Sequence, residues 1–220
     1  MQWNEWKPWY ERITADLGIN PARDMESAKL LAVFLASRSS GTDELEALIR
    51  GKDAIVFGPA PFTNHDFGDS VKISAGSSAE SLAGKGIIPD ILVTDLDGDV
   101  SAQAEANRKG AFAVIHAHGD NMNEVREWVP KFIAPVIGTT QAKPIKGIHN
   151  FGGFTDGDRA VFLAIHFGAQ RIHLVGFDFV NPSVKPGGNP SLKKVKMGYA
   201  RQLIEFASRT YGTEILPETD

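Results

Sequence analysis

Apolar and polar positions change period once along the chain, near residue 53. Before that point the apolar residues recur at helical spacing. Trp3, Trp6 and Tyr10 stand at i, i+3 and i+7, and 24–37 (DMESAKLLAVFLAS) carries an apolar stripe behind Asp24, which reads as an N-cap. A further short helix is expected at 43–50. The aromatic spacing at the start reads as packing against the core or against a second copy of the chain, so a homo-oligomer is an expected partner. From Asp53 onward, short β-branched runs alternate with amphipathic stretches, the pattern of a parallel sheet covered on both faces. Strands are expected at 54–57, 71–74, 91–94, 112–116, 136–138 and 172–176, and helices at 78–85, 100–109, 122–129, 156–167 and 196–211. Six strands with crossovers predict an α/β fold: a Rossmann-like, doubly wound, mainly parallel six-stranded sheet over 51–220, with residues 1–50 as an N-terminal helical extension. The segment 181–196 (NPSVKPGGNPSLKKVK) has no period and reads as a long loop, with Lys193, Lys194 and Lys196 near its end.

Composition narrows the classes of function. A chain of 220 residues that is 42% hydrophobic can bury a core of its own. Its net charge of -4 argues against a nucleic-acid surface as the main business, while a local basic patch can still grip a phosphorylated small molecule. With no cysteine, disulfides, thiolate zinc sites and thiol nucleophiles are excluded together. The start, Met1-Gln2-Trp3-Asn4-Glu5-Trp6, lacks a signal-type pattern, and no apolar run approaches the roughly 18 residues of a membrane span. A soluble, cytoplasmic protein without a membrane partner is expected.

The chemistry gathers at the ends of the expected strands. The run 91–94 leads into Asp95-Leu96-Asp97-Gly98-Asp99, and alternate residues of extended chain point the same way. Asp95 and Asp97 are therefore expected to face one ligand, with a bound cation relieving their repulsion, whereas Asp99 reads as a helix cap. An EF-hand does not fit, because Val100 and Ala106 stand where that loop needs glycine and glutamate. Gly58-Pro59-Ala60-Pro61 and Gly76-Ser77-Ser78 offer turns where backbone can approach phosphate, although no P-loop spacing occurs. His116-Ala117-His118-Gly119-Asp120-Asn121 sets two imidazoles and a carboxylate at the same edge. A zinc-dependent hydrolase using His116, His118 and Asp120, and two histidines that merely hydrogen-bond at a strand end, both fit that spacing. Gly152-Gly153-Phe154-Thr155-Asp156 opens a helix that Thr155 or Asp156 can cap, the glycines letting a ligand reach its positive end. The last strand ends at Gly176-Phe177-Asp178.

Pro89-Asp90 with Thr94-Asp95-Leu96-Asp97, then His116 to Asn121, Gly153 to Ala160 and Leu174 to Asp178, resemble in order the archaeal-type 6-hydroxymethyl-7,8-dihydropterin pyrophosphokinases. That family is distantly related to thiamine pyrophosphokinase. The resemblance implies a diphosphotransferase that moves diphosphate from ATP to the hydroxymethyl group of a dihydropterin, releasing AMP, with Mg²⁺ held by carboxylates. It makes Asp95 and Asp97 the metal ligands and Asp120 a third ligand or a base. Gly58, Gly76, Asn121, Thr155 and Asp156 become nucleotide contacts, Lys193, Lys194 and Lys196 close over the triphosphate, and His149 and Asn150 meet the pterin edge. The C-terminal β-sandwich with which the thiamine enzymes help bind thiamine has no counterpart after the last expected helix, which makes the pterin the better acceptor. A pyrophosphokinase for thiamine or another alcohol, the zinc hydrolase, and a nucleotide sensor without turnover are the competing readings.

Overall fold

The change of period at residue 53 is where the chain enters its sheet. In the computed structural model, which describes residues 1–63, 68–181 and 189–217, three helices come first: α1 (Trp3–Leu17), α2 (Pro21–Leu35) and α3 (Thr42–Ile49). Then follow β1 (Ala54–Phe57), β2 (Val71–Ala75), α4 (Ser78–Gly84), β3 (Ile91–Thr94), α5 (Val100–Arg108) and β4 (Phe112–Ala117). The remainder is α6 (Met122–Trp128), β5 (Val136–Thr140), β6 (Ile148–His149), α7 (Asp156–His166), β7 (Arg171–Val175), α8 (Pro190–Tyr211) and β8 (Glu214–Pro217).

The fold is α/β with a parallel sheet, and among the described residues that sheet has eight strands where six were expected, in the order β6-β5-β4-β3-β2-β1-β7-β8. The two extra strands are its edges. β6 is two residues long, and β8 is largely solvent-facing and ends in proline, so neither shows the buried apolar run that marks β1, β3 or β4.

Alternate side chains of the central strands feed two different cores. Val56, Ile73, Val93 and Leu174 pack with Leu45 and Ile49 of α3, Val161 of α7 and Ile204 of α8. On the other face Leu92, Ile115 and Val136 pack with Leu31 of α2, Ala79 of α4, Val100 of α5 and Val125 of α6. Full burial of each such side chain stabilises the fold by roughly 1.5–3 kcal/mol. After β6, α7 packs across β1, β2 and β3 before β7 pairs with β1 on its far side. Strand order thus reverses at β1, and α7 brings its N-terminus back to the carboxyl edge of β2 and β3, where open α/β sheets place their ligands.

Two helix starts differ from expectation, for the same reason. Asn20 caps α2, its side chain accepting from Ala22 N–H at 3.0 Å ahead of Pro21, so Asp24 lies inside the helix and is fully buried. Asn189 caps α8, accepting from Leu192 N–H at 3.1 Å ahead of Pro190. Lys193, Lys194 and Lys196 therefore stand on the first two turns of a helix, not in a loop; of the 181–196 segment, 182–188 lie outside the described residues. In both cases an Asn-Pro pair starts the helix earlier than the apolar period does. Among the described residues no helix is long and apolar enough to cross a membrane.

Candidate active site

β3 ends at Thr94, and the chain does not stay extended through the two aspartates. Leu96 has φ 64°, a left-handed conformation that costs a branched, bulky residue on the order of 1–3 kcal/mol. Its side chain is 1% exposed in the core beneath the sheet, and that burial is of the size needed to hold the turn. The turn is also pinned from below. Thr94 Oγ1 accepts from Leu96 N–H at 2.9 Å and donates to Gln103 Oε1 at 2.6 Å, while Gln103 Nε2 donates to the Asp97 carbonyl at 2.7 Å. The strand alternation expected to align Asp95 with Asp97 is thus replaced by a kinked turn that leaves Asp95 half-buried and Asp97 exposed. Asp99, as expected, caps α5, accepting from Ala102 N–H at 3.0 Å.

A third carboxylate comes from α7. Thr155 is the N-cap, and its backbone N–H donates to Asp158 Oδ1 at 2.8 Å to close a capping box, so Asp156 is free to point forward from the first turn. It lies against Gly76, where a Cβ would stand 2.6 Å from Asp156 Oδ2 and where φ is +56°; only glycine fits between β2 and α7. Burial and then the repulsion of Asp95 and Asp97 hold the Asp156 carboxyl well above the usual carboxylate range, against the pull of Arg159. Arg159 Nη1 donates to Asp156 Oδ1 at 3.1 Å.

The histidine motif divides into separate jobs. His116 is 2% exposed, with Nδ1 3.1 Å from Thr139 Oγ1, whereas His118 is half-buried with Nε2 3.7 Å from Asp95 Oδ2. Asp120 is exposed, its backbone N–H donating to His118 Nδ1 at 3.3 Å. Asn121, expected to touch nucleotide, has its side chain committed internally. It donates to the carbonyls of Asp95 and His116 at 2.8 Å each and accepts from His118 N–H at 3.0 Å, tying the ends of β3 and β4 together. Asn150 is committed in the same way, donating to the carbonyls of Gln141 and Ala142 and accepting from Gly152 N–H. His149 is half-buried and stacks on Phe151 with ring centroids 5.5 Å apart.

The glycines expected to admit a ligand admit protein. A Cβ on Gly58 would sit 2.4 Å from the Gly176 carbonyl, so the strand reversal at β1 and β7 is closed by backbone. Cβ atoms on Gly152 and Gly153 would strike Met1 and the Arg159 backbone.

Several residues of this edge carried no signal as site residues. Asp24 accepts from Tyr10 Oη at 2.7 Å, Gln141 Nε2 at 2.8 Å and Gly119 N–H at 2.7 Å, and Gln141 Oε1 in turn takes Arg159 Nη2 at 3.4 Å. This buried chain supports the guanidinium from α2. Tyr10, Asp24 and Gln141 are far apart in sequence and lie in none of the motifs at the strand ends, whereas Gly119 and Arg159 fall inside them; the one local clue to a role was Arg159 three residues after Asp156 on a helix.

Asp95 and Asp97 lie near enough to Asp156 to raise its pKa, and carboxylate oxygens are the donors that a hard cation such as Mg²⁺ takes. Among the described residues no group of three or more histidine or acidic side chains is placed to hold a metal ion. A closed cage is not what Mg²⁺ usually has in phosphoryl transfer, where one or two carboxylates and the substrate's own phosphates hold it. Lys196 Nζ lies 5.9 Å from the Phe154 ring, beside the start of α7, while Lys194 is exposed.

The sequence model of the 6-hydroxymethylpterin diphosphokinase MptE-like family matches residues 35–183. This chain belongs to that family. Among its relatives, the 6-hydroxymethyl-7,8-dihydropterin pyrophosphokinases of Pyrococcus furiosus and Methanothermobacter thermautotrophicus are each 40% identical to it, over 98% and 95% of this chain and 98% and 96% of their own. That of Methanocaldococcus jannaschii is 34% identical over 98% of this chain and all of its own length. The matched span contains Asp95, Asp97, Asp156 and Arg159, but neither Asp24 nor the three lysines of α8.

Proposed function

We propose that this member of the diphosphokinase family transfers the terminal diphosphate of ATP to the primary hydroxyl of 6-hydroxymethyl-7,8-dihydropterin. The observation that carries the placement of the reaction is the meeting of Asp95, Asp97 and Asp156 at the carboxyl edge of the sheet, with Asp156 pressed against Gly76. The hydroxyl oxygen attacks the β-phosphorus, forming a C–O–P link as the bridge between the α- and β-phosphates breaks; AMP leaves with the bridging oxygen. The hydroxyl proton passes to a base at this edge, a part given to Asp120, the exposed carboxylate beside His118. Asp95 and Asp97 would hold Mg²⁺, which when bound neutralises charge developing across the phosphates.

Around that centre, Gly76 and the first turn of α7 at Thr155 and Asp156 are assigned to nucleotide contact, with Lys193, Lys194 and Lys196 as phosphate contacts from α8. Gly58 and Asn121 are assigned to shaping the edge, since the close approach at Gly58 is to Gly176 and the Asn121 amide is hydrogen-bonded to protein. The doubly wound, Rossmann-like description and the cytoplasmic setting belong to the same proposal. Incubation with ATP, Mg²⁺ and either the dihydropterin alcohol or thiamine tests it. AMP is expected with the pterin only, in step with loss of free alcohol and independent of added zinc. ADP would make the protein an ordinary kinase, AMP with thiamine alone would move the acceptor, and phosphate release without acceptor would restore the hydrolase.

A further inference from the structure

Beneath the carboxylate edge lies a cavity of about 10 Å³, lined by Val93, Val114, His116, Thr139 and Arg159 among others. Two polar atoms of its lining residues are buried with no hydrogen-bond partner among the described residues: His116 Nε2 and Arg159 Nε. The residues that carry them are 2% and 7% exposed. Buried polar groups are satisfied in the great majority of cases, so two such atoms at one cavity call for an occupant.

Their chemistry identifies it. Thr139 Oγ1 donates its one proton to the Ile115 carbonyl at 3.2 Å, so at 3.1 Å from His116 Nδ1 it must accept. The network thereby assigns the imidazole proton to Nδ1 and leaves Nε2 as a bare acceptor. Arg159 Nε–H is a donor without an acceptor. Arg159 repels a cation, and the Nε2 lone pair repels an anion. Water accepts from one and donates to the other, and one water needs roughly 10–15 Å³ of such space.

We propose that the cavity holds a single ordered water bridging His116 Nε2 and Arg159 Nε, and that through it His116 is a positioning residue for the guanidinium bound to Asp156. Arg159 is then held on three sides: by Asp156 at 3.1 Å, by Gln141 at 3.4 Å, and by the water. A planar, forked group fixed in three directions presents Asp156 in one orientation. Burial, and then the Arg159 charge, hold the His116 pKa well below its usual value, which keeps the ring neutral as the bridge requires. The consequence for catalysis rests on the diphosphotransferase reading; the water site does not.

The two parts separate experimentally. Nitrogen-15 spectra of the full-length protein should show His116 as the Nδ1–H tautomer and an Arg159 Nε–H in contact with a long-lived water. A proton on Nε2, or no water at Arg159, overturns the site whatever the enzyme does. For the positioning role, His116→Phe should lower kcat about tenfold with little change in the KM for ATP, the scale of a small misplacement. His116→Gln, whose amide reaches the place of Nε2, should retain most activity. Combined with Arg159→Lys, His116→Phe should add no further loss, because both changes act through one guanidinium. Additive losses would overturn the positioning role. Where His116→Phe does not fold, Thr139→Val, which frees the ring to change tautomer, must show the altered spectrum and the same non-additivity. A wild-type protein that makes no AMP defeats the functional reading alone, and the spectra then decide the water site.

Discussion

The two ends of one sheet treat charge in opposite ways. At the amino ends of the strands, Asp53 receives Arg171 through Nε at 3.1 Å and Nη2 at 2.7 Å, and Asp90 accepts the Lys72 backbone N–H at 2.8 Å with Lys72 Nζ 3.9 Å away. Asp53 and Asp90 thus each have a cation beside them, in contact with solvent. At the carboxyl ends Asp95 and Asp97 repel Asp156, which pairs with Arg159 and is held well above the usual carboxylate range. Folding gains from the first arrangement and loses from the second. Like charges brought together at a half-buried edge, with a left-handed leucine between two of them, are what make this end of the sheet the candidate site.

Removing that crowding should therefore separate activity from stability. Asp95→Asn and Asp97→Asn are each expected to lower AMP formation at least about a hundredfold, the scale of one lost electrostatic stabiliser in a catalytic site. Melting temperature without Mg²⁺ should hold or rise. Asp156→Asn should do the same with a pH signature. A carboxyl whose folded pKa is raised contributes stability that is complete below about pH 4 and is lost as pH rises toward the folded value. The metal-free variant should accordingly be more stable than wild type at pH 7, with the advantage shrinking as pH falls to about 4. Three active variants, or three that melt well below wild type, would erase the contrast between the two ends.

Sequence showed the first-order pattern at both ends, but not which partner each charge has. The central strands were legible because burial on both faces leaves short β-branched runs such as Ile91 to Thr94, and Asp99 was legible as a cap because capping is local. Asp95, Asp97 and Asp156 stood out as carboxylates following strand or turn signals. What pattern reasoning misassigned was set by distant residues. Asp24 looked like a cap, yet its three donors come from Tyr10, Gln141 and Gly119. Nor does the pattern show that the Asn121 amide, which the resemblance makes a nucleotide contact, joins β3 to β4. Leu96 had no polar atom to draw notice, although its φ of 64° sets the turn between the aspartates. The edge strands β6 and β8 lacked the burial on which strand recognition depends.

The lysines of α8 sharpen the comparison from the other side, since they add positive charge where the edge is negative. Replacing Lys193, Lys194 and Lys196 together with alanine should raise the KM for ATP several-fold and leave kcat and melting temperature nearly unchanged. Lys194 and Lys196 are solvent-exposed and Lys193 is half-buried on the first turns of the helix, so their value lies in meeting phosphate more than in packing. The increase in KM should grow as salt is lowered, because exposed charges act over a Debye length of about 10 Å at 0.1 M. ATP kinetics identical to wild type would remove α8 from the site.

The smallest effect belongs at the amino end, with Arg171→Gln. Arg171 opens β7 and Asp53 precedes β1, so their pair spans two neighbouring strands whose register, Ala54 opposite Ile172, is already fixed by the sheet ladder and by the buried side chains behind it. The Arg171 side chain is about half exposed, at 49%, so water and salt screen what the pair contributes. Asp53 is held below the usual carboxylate range chiefly by its hydrogen bond to Arg171, so the stability the pair gives is present above about pH 4 and disappears as acid protonates Asp53. Arg171→Gln should therefore lower the melting temperature slightly at pH 7 and low salt, and less at high salt or at acid pH. AMP formation should match wild type in both kcat and KM. A large loss of activity from this change would mean that charge at one end of the sheet sets the carboxylates at the other, and the independence of the two ends would have to be abandoned.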